Sequence, residues 1–81
     1  MSQTLDEQYR EELEQLVNRL ERLSADSSYA HQASGLRGTL LRHIERIENG
    51  NQVNYIELDQ LIESGFKILR LAAKEIGAYH E

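Results

Sequence analysis

The chain has 81 residues, enough for one domain whose thin core buries only about 60% of the surface that the unfolded chain exposes. It contains no cysteine, so disulfide frameworks and thiolate metal sites are excluded, and no proline. Nine Lys and Arg stand against fourteen Asp and Glu, for a net charge of −5, which argues against non-specific binding to nucleic acid.

The charge is uneven. Residues 1–34 hold three Arg against seven Asp and Glu, a net of −4, and residues 35–81 hold six basic against seven acidic residues, a net of −1. The first residues, Met1 to Glu7, are acidic and lack an apolar run, unlike a signal peptide. No apolar stretch approaches the ~20 residues of a membrane span. The expectation is a cytoplasmic protein with a protein partner, itself included, and with neither nucleic acid nor membrane as its target.

The first helix is expected from about Thr4 to Leu23. Thr4 and Glu7 have the spacing of a capping box, in which the hydroxyl and the carboxylate satisfy orphan amides. Asp6 and Glu7 suit the positive end of the helix dipole, Arg19 and Arg22 the negative end. Leu5, Tyr9, Leu13, Leu16, Val17, Leu20 and Leu23 form a stripe about 120° wide, enough for one core-facing side.

Ser24 to Ser28 is a connection rich in side chains that bond their own backbone. The second helix then runs from about Ser28 to Asn49, with Tyr29, Ala33, Leu36, Leu40, Ile44 and Ile47 on its apolar side. Gly35 and Gly38 each cost about 1 kcal/mol against Ala inside a helix, so a later start, capped by Ser34, is the alternative. Gly50 fits the left-handed position just past a helix end.

Asn54, with Glu57 three residues on, has the pattern of a cap for a third helix extending to about Gly77. Leu58, Leu61, Ile62, Phe66, Ile68, Leu69, Ala72, Ala73 and Ile76 span about 160° of its circumference, wide enough to meet two neighbours. Gly65 lies mid-stripe, where a missing side chain admits another helix. Asp59, Glu63, Lys67, Arg70 and Lys74 occupy the wet side. The resulting fold is all-α, an antiparallel three-helix bundle completed by homodimerisation.

One surface departs from a plain bundle. His31, Gly35, Gly38 and Arg42 follow one another along the side of the second helix opposite its apolar residues. An exposed helix interior normally carries Ala, Lys, Glu or Gln, so two glycines there give up stability. Either they belong to a frayed first turn, or another helix packs against bare backbone. The second reading makes His31, Gly35, Gly38, Arg42 and Gly65 a partner or dimer surface. It also makes the chain a small non-enzymatic adaptor or regulator that works through helix–helix contacts.

A third reading is chemical. His31-Gln32-Ala33-Ser34-Gly35 resembles the phosphoacceptor stretch of histidine phosphotransfer domains, in which an exposed His is followed four residues on by a Gly. The resemblance implies that His31 accepts a phosphoryl group and that Gly35 clears its approach. Ser34 stands where that family usually has Lys, so Arg42 would have to supply the positive charge. The chain also offers three helices where the family's domain has four. A nucleic-acid-binding regulator is the remaining class, opposed by the acidic balance. His43 and His80 lack neighbours at metal-ligand spacing, so neither a metal nor a cofactor is expected.

Overall fold

The computed structural model describes the backbone of residues 4–79 and side chains as far as Glu75; His80 and the side chain of Ile76 lie outside the described residues. The described residues form three helices and no strand: α1 (Leu5–Glu21), α2 (Ala30–Glu48) and α3 (Tyr55–Tyr79). They lie side by side in a body of 47 × 24 × 19 Å.

Local chemistry sets each helix end. The Thr4 hydroxyl accepts from the Glu7 amide at 3.1 Å and starts α1. α1 stops at Glu21, two residues short of the expected Leu23, because the Arg22 and Leu23 amides turn back to the Arg19 and Leu20 carbonyls in a tighter turn. α2 ends in a Schellman motif. Gly50 has φ +74°, its amide reaches the Ile47 carbonyl, and the Asn51 amide reaches that of Arg46. The Asn54 side chain accepts from the Glu57 amide at 3.2 Å and opens α3, which runs two residues past Gly77.

The start of α2 is built differently. The helix begins at Ala30, later than Ser28 but well before Ser34, and Tyr29 at its cap position makes no side-chain cap bond. The Ser27 hydroxyl accepts from the Tyr29 amide at 3.1 Å. The first turn contains no acidic residue. The negative charge suited to that end comes from α3, whose Glu75 carboxylate accepts from the Ser28 amide at 2.9 Å.

Among the described residues each helix gives four side chains to the buried core. They are Leu13, Leu16, Val17 and Leu20 from α1, Ala33, Leu40, Ile44 and Ile47 from α2, and Leu58, Ile62, Ile68 and Ala72 from α3. Among the described residues no polar side chain is buried with them. The buried part of α3 spans about 120°, narrower than the full apolar stripe. Phe66 and Leu69 pack half-buried at its border, and Ala73 is exposed.

α3 finds two neighbours within the chain. Leu16 of α1 lies against Gly65, and Glu57 lies beside His43 of α2. α3 therefore meets both other helices, while the Phe66 and Ala73 edge of its stripe stays partly uncovered.

Candidate interaction surface

α2 turns Ala33, Leu40, Ile44 and Ile47 inward, and half a turn away lie His31, Gly35, Gly38 and Arg42. His31, Gly35 and Arg42 are exposed and Gly38 is half-buried. Because the helix begins at Ala30, both glycines lie past its first turn, in regular helix. A Cβ added at either would meet no atom within 4 Å. Among the described residues nothing fills the place of the missing side chains, so their cost of about 1 kcal/mol each is not recovered by packing there.

The side chains beside the glycines are drawn along the helix. The Thr39 hydroxyl donates to the Gly35 carbonyl at 3.3 Å, and Arg42 Nη2 donates to that hydroxyl at 3.2 Å. Leu41, 46% exposed, projects about 60° around the helix from Gly38 and gives the strip an apolar edge. The apolar period alone hid Leu41, because it directly follows the core residue Leu40 and falls outside the inward stripe.

Gly65 belongs elsewhere. It is buried, and a Cβ there would come within 2.5 Å of Leu16 Cδ2 and 2.9 Å of Cδ1. It is covered by Leu16 of α1, so it is not available to a partner alongside the α2 residues.

A second concavity, of about 590 Å³, opens at the α2–α3 corner between His43, Arg46, Val53, Tyr55, Ile56 and Glu57. His43 Nε2 stands 3.4 Å from a Glu57 carboxylate oxygen, an ion pair when the imidazole is protonated. Ile56 is 71% exposed at its rim. Among the described residues no three His, Asp or Glu side chains come together as a metal-binding group, and no helix is long and apolar enough to cross a membrane.

The first turns of α1 and α3 are joined by a crossed pair of tyrosines. The Tyr9 hydroxyl donates to Asp59 at 2.6 Å, the Tyr55 hydroxyl donates to Asp6, and the two rings stack with centroids 5.3 Å apart. Hydrogen bonding to the carboxylate raises each phenol pKa above the ordinary value of 10.0, and desolvation adds to it. This is a fastening between helices. Its sequence signal is Asp three residues before Tyr in α1 and four residues after Tyr in α3, spacings that place each pair on one helix side.

Comparison with protein-family models, with curated proteins and with solved structures returned no match. The functional reading therefore rests on this surface alone.

Proposed function

We propose that this chain is a small non-enzymatic adaptor or regulatory protein, an antiparallel three-helix bundle that presents the outer side of α2 to another helix. The observation that carries the reading is the pair of mid-helix glycines, Gly35 and Gly38, with open space where their side chains would be. Small residues let two backbones approach closely, and exposed Leu41 supplies apolar area at the edge. A second copy of the chain is the partner to test first. α1 is the poorer docking side, since its densely acidic outer side would repel its own copy. The acidic balance favours neither nucleic acid nor a membrane surface as partner, and the cysteine-free composition suits the cytoplasm.

Light scattering over a concentration series tests this. A dimer is expected, lost or altered in Gly38→Leu with helicity by circular dichroism retained. A chain that stays monomeric at high micromolar concentration would remove the self-association reading.

His31 supports a second reading, phosphotransfer, because it is exposed and the space over Gly35 one turn later is open. A ring nitrogen of His31 would attack phosphorus, breaking the bond to the donor's leaving group. Arg42 is poorly placed to hold the phosphoryl group: it bonds Thr39, about 12 Å along the helix from His31. Phosphoramidate would give an acid-labile adduct with release of ammonia, absent in His31→Gln. No adduct leaves the interaction surface alone.

A further inference from the structure

Glu75 occupies an unusual place for a carboxylate. It lies at the edge of the core-facing side of α3, seven residues on from buried Ile68 and close to it around the helix, and is only partly exposed. Its oxygens accept from the Ser28 amide at 2.9 and 3.3 Å, from the Ser28 hydroxyl at 3.3 Å and from the Ser27 hydroxyl at 3.4 Å. The turn it grips leads into α2, whose first turn has no acid and whose cap residue, Tyr29, makes no side-chain cap bond. One carboxylate thus joins two elements: it holds the turn that leads into α2 to the last turns of α3.

We propose that Glu75 is a conformational latch, whose release frees the α1–α2 turn and the end of α3 together while the rest of the helix packing stays closed. Two observations make the opening local. Among the described residues the largest fully buried side chains are Leu13, Leu16, Leu40 and Leu58, while the buried residues nearest the gripped turn in sequence, Ala33 and Ala72, are small, and the opposite end of the molecule is fastened separately by the Tyr9–Tyr55 pair. The half-buried Leu23 and Tyr29, on either side of the gripped turn, are the apolar surface that opening would uncover. Negative charge added at Ser28 would compete with Glu75 for the same positive helix end and repel it. The latch is independent of the dimer reading, because its readout is local exchange and not association.

Residue-resolved amide hydrogen exchange on the full chain tests it, with Glu75→Gln and Ser28→Asp. In Glu75→Gln the Ser28 amide, the first turn of α2 and the last two turns of α3 should exchange about tenfold faster or more, the effect of losing a charge-assisted hydrogen bond. In Ser28→Asp the end of α3 should open at least as far. In both variants amides around Leu13, Leu16 and Leu58 should exchange as in the wild type. Unchanged exchange at Ser28 and the end of α3 would overturn the latch, and so would equal acceleration of every protected amide.

Discussion

At the residue scale the described glycines divide by what surrounds them. Gly35 and Gly38 stand in open space within regular helix, so Gly35→Ala and Gly38→Ala should each raise stability by about 0.5–1 kcal/mol in denaturant unfolding. Gly65→Ala should do the reverse, costing about 1–3 kcal/mol, since its methyl group would run into Leu16 in the packed interior. The sequence pattern could place Gly65 on an inward stripe and the other two on an outward side, but not say that Leu16 fills the first. The tyrosines carry a pH signature. Their hydrogen bonds to Asp59 and Asp6 favour the protonated phenol in the folded chain, so the folded pKa exceeds the unfolded one. That stabilisation is complete below about pH 10 and is lost as pH rises through the folded values. Melting temperature should fall in that alkaline window, and the fall should shrink in Tyr9→Phe and in Tyr55→Phe.

At the element scale, caps were legible because their chemistry is local. Thr4, Gly50 and Asn54 each bring partners within a few residues, and spacing reveals them. The start of α2 was not legible, since its acidic group arrives from Glu75, forty-seven residues away from Ser28. The core side of α3 was readable to within its border. Leu69, inside the apolar stripe, is only half-buried, whereas Leu58 is 0% exposed. Leu58→Ala should therefore cost about 2–5 kcal/mol and Leu69→Ala clearly less. Equal losses, measured by urea midpoint at constant slope, would place the core boundary elsewhere.

At the scale of the whole molecule, helix number and type followed from three apolar periods separated by Ser-rich and Asn-Gly connections. How the helices grip one another did not, because the crossed tyrosines, the Glu57–His43 pair and the Leu16–Gly65 contact join residues whose distant partners leave no periodic trace. The crossed fastening has a kinetic consequence. Tyr9 and Asp59 are 50 residues apart in the chain and Tyr55 and Asp6 are 49 apart, while α1 and α2 are neighbours joined by one short turn. Closing that longer loop carries the larger entropic cost, so the α1–α2 pairing should form before α3 is clasped. Tyr55→Ala should accordingly speed unfolding and leave refolding nearly unchanged, with a φ-value near zero in stopped-flow denaturant jumps. The tyrosines would then act on how long the native state lasts, with little influence on how quickly it is reached.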